Sequence, residues 1–522
     1  MMQAGTPPVK LQTLLSGAAI ENEAVLNAIM HTDTGIAEIP VSGLSLDSRR
    51  VNEGDVFVAL RGTKVDGRQF IPEAIAAGAC AVLTEADDSK IQLTRTMGCP
   101  VVAISHLAHR LSALAGCFYK WPARRMRVKG VTGTNGKTTC SHLLAQFYSH
   151  LGVGGATLGT LGYGLATDKA LTETGLTTPD AIETQRILAC LLERGAGVVA
   201  MEVSSHSLDQ GRVAGIEFDT AVFTNLSRDH LDYHGDMENY ARAKRALFEM
   251  PGLQRAVINI DDPVGEKIHG QIRLPQRCSY AVTRSDADVG VKDVRYTDSG
   301  IQALVVSPWG EGQLRSCLLG VFNLSNLLAV IATVCAQGGG VNDFENVLQL
   351  AARLQPVSGR MDRLLSPSDI TVVIDYAHTP DALQQSLVAL QKHLQGQRHR
   401  GKLWCVFGCG GDRDRGKRPL MGEIAEKYAD KLVVTSDNPR CEEPGRIIED
   451  ILTGIKHPTG IDIEVDRAEA IAGAIAMAAP GDCLLIAGKG PENYQLVGNQ
   501  RLTFCDKEQA LRALDIRAGE KA

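Results

Sequence analysis

The sequence predicts an α/β protein of three domains, and three observations carry that prediction. Short apolar strands alternate with helix-forming stretches along most of its 522 residues. A chain of this length exceeds one hydrophobic core, taking roughly 150 residues as a soft unit per domain. Residues 130–139 read Gly-Val-Thr-Gly-Thr-Asn-Gly-Lys-Thr-Thr, a glycine loop between an extended lead-in at 126–131 and a helical stretch at 140–150.

Three composition blocks follow. The first, residues 1–108, mixes apolar strands at 56–60, 81–83 and 101–104 with a helix-like 70–77. The second, 109–357, contains the glycine loop and repeats strand–loop–helix units, with strands at 198–203 and 220–224 and a helical stretch at 326–336. The third, 358–522, alternates most clearly. Thr371–Asp375 precedes helical 380–394, Leu403–Phe407 precedes 419–428, 432–435 precedes 446–455, and Cys483–Ala487 closes the set. Strands separated by helices imply a parallel, Rossmann-like sheet covered on both faces. Ligands meet such sheets at the loops after the strands' carboxyl ends. Those loops carry Asp375-Tyr376-Ala377-His378, Gly410-Gly411-Asp412-Arg413, Asp437-Asn438-Pro439-Arg440 and Gly488-Lys489-Gly490.

Composition narrows the class. A hydrophobic content of 44% and a charged content of 22% are those of an ordinary soluble protein. The net charge of −6 gives no support for a nucleic-acid or anionic-membrane partner. The cluster Arg124, Arg125, Arg127 and Lys129 reads as a solvated face. The first residues lack a charged segment followed by an apolar core, so no signal peptide is expected. No apolar stretch approaches the ~18 residues of a membrane span. The 13 cysteines are scattered, and Cys405 and Cys409 lack partners at metal-ligand spacing. They are expected to be buried reduced thiols in a cytoplasmic protein, here taken as a monomer.

The glycine loop limits the chemistry most sharply. Backbone N–H groups of such loops close around phosphate oxygens, and the helix start adds partial positive charge behind them. Lys137 supplies a cation for terminal phosphates, and Thr138 a hydroxyl for a phosphate-bound Mg²⁺. Val131 stands where the standard P-loop has its first glycine, so Gly133-x-x-Gly136-Lys137-Thr138 is a variant form. The bland alternative, a glycine turn at a structural βα corner, does not require Gly-Lys-Thr-Thr. The central block is therefore predicted to be a P-loop parallel-sheet ATPase domain. Two polar clusters share its register: Glu202-Val203-Ser204-Ser205-His206, and Asn225 to His234 with Arg228, Asp229, His230 and Asp232. A carboxylate and an imidazole at neighbouring strand ends could hold a divalent ion beside the phosphates. His206 or His234 alone is more often a structural hydrogen-bonder.

Together these segments resemble the Mur ligases of bacterial cell-wall synthesis, over nearly the whole chain from Leu46-Asp47-Ser48-Arg49 to Gly498-Asn499-Gln500-Arg501. The resemblance implies an ATP-dependent, ADP-forming acid–amino-acid ligase of peptidoglycan precursor synthesis. Such enzymes phosphorylate a substrate carboxylate with ATP, then let an amine attack the acyl phosphate. It implies an ATP site at Gly133, Thr134, Asn135, Gly136, Lys137, Thr138 and Thr139, with Asn323, Asn326, Arg360 and Asp375 around the nucleotide. Lys137, His230 and Lys244 are the implied catalytic residues. Thr138 would touch one Mg²⁺, while Glu202, His230 and a carbamylated Lys244 would hold another. An ammonium offers no lone pair, whereas CO₂ addition makes the lysine an anionic oxygen ligand. From its residues alone, Lys244 reads as a solvated helix lysine.

The family binds a UDP-muramoyl peptide at positions that map to Leu46, Ser48, Thr63, Lys64, Val65, Thr177, Thr178, Ser204, Gln210 and Arg212. The run Thr177-Thr178-Pro179-Asp180 also reads as a helix start, with Thr178 or Asp180 near the cap. The implied acceptor of the new bond is UDP-N-acetylmuramoyl-L-alanyl-D-glutamate, and the implied amino acid meso-2,6-diaminopimelate. Reading that amino acid's far carboxylate calls for a planar guanidinium. Arg440 of Asp437-Asn438-Pro439-Arg440 supplies one and Arg413 a second, with Gly488 and Glu492 at matching positions. Lysine-adding relatives lack arginine at the end of this motif. Lysine or another amino acid in place of diaminopimelate is the alternative, and a non-catalytic P-loop switch the rival from another class. One departure stands out: Pro491 replaces the family's usual histidine in Gly488-Lys489-Gly490-Pro491-Glu492, which fixes φ and removes a backbone donor.

Overall fold

The computed structural model describes residues 8–17, 34–62, 65–86, 92–297, 299–338, 343–364, 368–395 and 401–519. The chain divides into two compact units, Met1–Cys278 and Ser279–Ala522. The division falls inside a strand, not at the composition boundaries near 108 and 357.

Two large sheets occupy the first unit, together with a short antiparallel pair, Val9–Lys10 with Pro40–Val41. Strands β1 (Gly43–Ser45), β2 (Asp55–Ala59), β3 (Ala81–Glu85), β4 (Gln92–Thr96) and β5 (Cys99–Ile104) form one of order β1-β2-β3-β5-β4. All its pairings are parallel except that of β4. The second holds β6 (Arg127–Thr132), β7 (Gly155–Gly159), β8 (Gly162–Leu165), β9 (Val198–Glu202), β10 (Phe218–Phe223), β11 (Arg255–Asn259) and β12 (Gln276–Tyr280), in the order β8-β7-β9-β6-β10-β11-β12. β6 lies between β9 and β10, parallel to both. Every residue of β9 is buried, as expected of a strand with helices on both sides. Helix α1 (Lys137–His150) follows β6, starting three residues before the predicted 140, because the glycine loop itself supplies the N-cap at Gly136. Asp180, not Thr178, caps the helix Ala181–Glu193 by accepting from the N–H groups of Ile182 and Glu183.

The basic cluster is not one solvated face. Lys129 is fully buried in β6, ion-paired with Asp219 and bonded to Thr220 Oγ1. Burial pushes its ammonium down to about 8 against that pairing. Arg124 does stay half-exposed, paired with Glu217.

The second unit carries an antiparallel sheet that the alternation does not reveal: β13 (Gly290–Thr297), β14 (Gly300–Ser307) and β15 (Gly310–Ser316). Helix α2 (Val321–Ala336) follows, five residues longer at its start than predicted. The predicted parallel sheet is present as β16 (Asp362–Arg363), β17 (Thr371–Asp375), β18 (Leu403–Phe407), β19 (Lys431–Val434), β20 (Asp462–Ile463) and β21 (Cys483–Ala487), in the order β16-β17-β21-β18-β19-β20. Only β16 pairs antiparallel. Alternate side chains feed two cores. Val373, Cys405, Phe407 and Leu485 pack with helices α3 (Pro380–Gln395) and Lys417–Tyr428. Val372, Trp404, Val406 and Leu484 pack with Arg467–Met477 and Asp506–Gly519. Each fully buried Val or Leu contributes roughly 1.5–3 kcal/mol. A last hairpin, β22 (Tyr494–Val497) with β23 (Gln500–Thr503), follows β21.

All 13 cysteines are free thiols. Burial pushes Cys409 up to about 12, which suits an unreactive core thiol. Cys441 is exposed, contrary to the expectation of burial. No described helix is long and apolar enough to cross a membrane.

Candidate functional site

Three adjacent strand ends build the candidate site of the first unit. β6 runs into the glycine loop, β9 ends at Glu202, and β10 runs into Thr224 and Asn225. Gly133 has φ +149°, and a Cβ there would lie 1.9 Å from Thr224 Oγ1, so only glycine fits. Asn225 braces the loop from outside: its Oδ1 accepts from Asn135 N at 2.9 Å, its Nδ2 donates to Asn135 O at 3.1 Å, and its carbonyl accepts from Thr134 N at 2.8 Å. Thr134 Oγ1 accepts from Ser227 N at 3.0 Å and lies 3.2 Å from the Tyr240 hydroxyl. The loop is thus built before any phosphate arrives. Thr138 and Thr139 are buried in the first turn of α1.

Two lysines converge on this loop. Lys137 Nζ donates to the carbonyls of Gly133 and Thr134 at 2.8 and 2.7 Å. Lys244 Nζ donates to the same Gly133 carbonyl at 2.7 Å. Lys244 ends the helix Met237–Arg245, is 1% exposed, and sits 4.6 Å above the Tyr240 ring. It is not the solvated lysine its residues alone suggested. Burial, with Lys137 alongside, holds its amine well below the usual lysine range.

Glu202 is buried and fixed: Oε1 accepts from Thr160 N at 2.9 Å and Oε2 from Thr160 Oγ1 at 3.1 Å. Each oxygen keeps a lone pair for a cation. His230 has φ +53° and is half-exposed, with its ring centroid 5.0 Å from that of His206. His206 also faces Tyr233 and His234, and burial lowers its basicity, so a neutral ring is favoured. Among the described residues, no three His, Cys, Asp or Glu side chains gather as a metal-ligand group. The hydroxyl of Thr138 and the carboxylate of Glu202 are hard oxygen donors, few in number. That fits Mg²⁺, which keeps several waters and is completed by phosphate oxygens.

The predicted muramoyl-peptide residues fall into two groups. Thr178 Oγ1 donates to Glu202 O at 2.9 Å and accepts from Ser204 N at 3.1 Å. Arg212 donates to Thr178 O at 3.0 Å and to Gln210 Oε1, while Thr177 Oγ1 lies 3.0 Å from Thr160 Oγ1. Ser204 caps the helix Ser205–Asp209. These five residues and Glu202 therefore form one network. Leu46, Ser48 and Val65 instead follow the carboxyl ends of β1 and β2, neighbouring parallel strands. Thr63 and Lys64 lie outside the described residues.

In the second unit Asn323 and Asn326 are buried in the first turns of α2, and Asn326 Nδ2 donates to Asn323 Oδ1 at 3.2 Å. Arg360 stacks on Tyr376 at 4.4 Å, with its Nε buried and unbonded. Asp375 ends β17, accepting from Met361 N and Ser386 Oγ, and burial raises its pKa.

The predicted amino-acid residues come together after β19 and β21. Arg440 has φ +51°, and Nη1 donates to Gly411 O at 2.9 Å. A Cβ on Gly488, itself at φ +115°, would meet Asp437 Oδ2 at 2.5 Å. Asn438 Nδ2 donates to Glu492 Oε2 at 2.8 Å. Arg413 is exposed on the neighbouring loop, where Nη1 makes a long 3.4 Å contact to Asp412 O. Pro491 packs against the Arg360 loop: a Cβ on Gly359 would lie 2.2 Å from Pro491 N. Four residues given no role by the sequence reading also bond here: Thr160 to Glu202, Tyr240 with Thr134, Lys489 Nζ to Glu492 Oε2 at 3.0 Å, and Gln495 Nε2 to Asp437 O at 2.6 Å. Lys489 was visible inside its glycine loop, but nothing in its spacing marks a role. Thr160 and Gln495 carry no pattern at all.

Comparison with known proteins agrees with this architecture. Three family patterns match in order: the Mur ligase family catalytic domain at 40–119, the Mur ligase middle domain at 131–334, and the Mur ligase glutamate ligase domain at 359–490. The chain is 45% identical over 488 residues to the UDP-N-acetylmuramoyl-L-alanyl-D-glutamate--2,6-diaminopimelate ligase of Coxiella burnetii, spanning 92% of this chain and 96% of that one. A solved structure of a ligase with the same name is 36% identical, with a TM-score of 0.68, covering 92% of this chain and 96% of that one. The MurF ligase of Thermotoga maritima in complex with ADP shares the fold at 21% identity, with a TM-score of 0.59 over 92% of this chain and 98% of its own. Fold and site thus define an α/β ligase. The chain belongs to the Mur ligase family.

Proposed function

We propose that this ligase joins meso-2,6-diaminopimelate to UDP-N-acetylmuramoyl-L-alanyl-D-glutamate, using ATP and Mg²⁺ in peptidoglycan precursor synthesis. The observation that carries the substrate assignment is the Asp437–Arg440 turn, in which the Arg440 guanidinium is anchored on Gly411 O while Asn438 binds Glu492. Nη1 of Arg440 is occupied by backbone, leaving Nε and Nη2 as a two-pronged donor for a distal carboxylate. The carboxylate of Glu492 offers a partner for a distal ammonium. The 45% identical relative carries the same activity in its name.

The chemistry follows from what a carboxylate lacks, a leaving group. A carboxylate oxygen of the acceptor's glutamate bonds to the γ-phosphorus as ADP departs. The amine then attacks the acyl carbon and expels phosphate, losing a proton as the amide forms. Two anions must approach in line, so positioning and charge neutralisation are the protein's task. Lys137 and the loop N–H groups serve the phosphates, while Arg212, Thr177, Thr178, Ser204 and Gln210 serve the peptide end. Leu46, Ser48, Thr63, Lys64 and Val65 serve the uridine nucleotide, and Asn323, Asn326, Arg360 and Asp375 the ATP. Thr138 would hold one Mg²⁺, and Glu202, His230 and carbamylated Lys244 another, supplying charge neutralisation there. Burial disfavours the charge on Lys244, and the uncharged amine is the form that adds CO₂, which supports that modification. The blocks 1–108, 109–357 and 358–522 are taken as the functional units of a cytoplasmic monomer, and the three family patterns fall in that order along the chain.

A competition assay tests the substrate. Wild type, offered diaminopimelate and lysine together, is expected to yield the diaminopimelate product by mass. Arg440→Ala should raise the KM for diaminopimelate about 100-fold, the loss of one charge-assisted pair of bonds, and leave the KM for ATP near wild type. A lysine product from wild type, or equal kinetics in both proteins, contradicts the assignment.

A further inference from the structure

We infer that Lys489 is a positioning residue of the amino-acid pocket, which, with Gln495, orients the Asp437–Arg440 turn and Glu492 for the incoming substrate. This rests on the reading of that pocket as the diaminopimelate site. Lys489 is fully buried, and its Nζ donates to Glu492 Oε2 at 3.0 Å and to Asn438 Oδ1 at 3.2 Å. Asn438 Oδ1 also accepts from Leu496 N at 2.9 Å. Two donors on that oxygen fix the amide's orientation, so its Nδ2 must face Glu492. Both bonds to Glu492 fall on Oε2, which leaves Oε1 for a ligand. A buried charge without a partner is costly, so ammonium and carboxylate hold each other in place.

The hairpin extends the same clamp. Gln495 Nε2 donates to Asp437 O at 2.6 Å and Ser436 Oγ at 2.9 Å. Arg440 N donates to Leu496 O at 3.0 Å, and Gly498 N donates to Arg440 O at 2.7 Å. Those two backbone bonds hold Arg440 at φ +51°, a conformation unfavourable for a side chain of its kind. The segment from Lys489 to Gly498 thus holds Asp437, Asn438, Arg440 and Glu492, with no need to touch the substrate.

Steady-state kinetics of full-length Lys489→Met and Gln495→Met, with each substrate varied in turn, test this. Lys489→Met should raise the KM for diaminopimelate about tenfold and Gln495→Met about threefold. The KM values for ATP and the nucleotide substrate should stay within about twofold, and the preference for diaminopimelate over lysine should fall. An unchanged diaminopimelate KM, or a change shared equally by all three substrates, overturns the positioning role. If Lys489→Met fails to fold by thermal melting, the half-buried Gln495 variant decides alone. Wild type that prefers lysine would overturn the substrate reading instead. The KM for lysine then takes the place of that for diaminopimelate in deciding the role of Lys489.

Discussion

Lys244 shows how far burial changes a residue's chemistry. On the surface of its helix it would be a hydrated cation; beside Gly133 O and Lys137 it is enclosed and its charge disfavoured. Lys244→Ala is expected to abolish turnover, and short carboxylates such as acetate or propionate should partly restore it by supplying the missing anionic oxygens. Full activity without rescue would remove the modification from the account. The turn of the glycine loop was legible in the sequence, since Gly133 and Gly136 take positive φ that local geometry reserves for glycine. Lys244 was legible only through the family resemblance. Its burial comes from tertiary packing against a loop 111 positions away, which no local pattern encodes. Lys129 failed for the same reason: four basic residues in one stretch look alike until Asp219 is brought beside one of them.

At the scale of elements, the parallel strands were readable because continuous apolar runs between helices have one physical explanation. The antiparallel β13–β15 sheet was not, because β13 and β15 are mostly exposed or half-buried and offer no continuous apolar run. What holds the loops after the strands is electrostatic. Arg418, with no exposed side-chain surface, donates to both oxygens of Glu442 and to Gly410 O, while Glu442 accepts from Asp412 N. That network joins the Arg413 loop to the segment following Arg440. Arg418 is the main cause of a Glu442 pKa depressed to about 2. A carboxylate depressed in the folded state stabilises fully above its unfolded value of about 4.3. The contribution is lost as pH falls from there through about 2. Acid unfolding should therefore show wild type more stable than Glu442→Gln at neutral pH, the gap closing across that window. A gap that persists unchanged to the lowest pH would argue against the pairing.

For the whole molecule, the central claim is that the glycine loop serves to activate a carboxylate, rather than to run a nucleotide switch. Both readings predict ATP hydrolysis, so phosphate release alone separates them poorly. The fate of oxygen separates them cleanly. If the acceptor's glutamate carboxylate is labelled with ¹⁸O and the enzyme is supplied with ATP, Mg²⁺ and diaminopimelate, one labelled oxygen must leave with phosphate for each amide formed. Mass spectrometry of the released phosphate should show one ¹⁸O per turnover. Unlabelled phosphate accompanying product would contradict acyl-phosphate activation and, with it, the account given of the site.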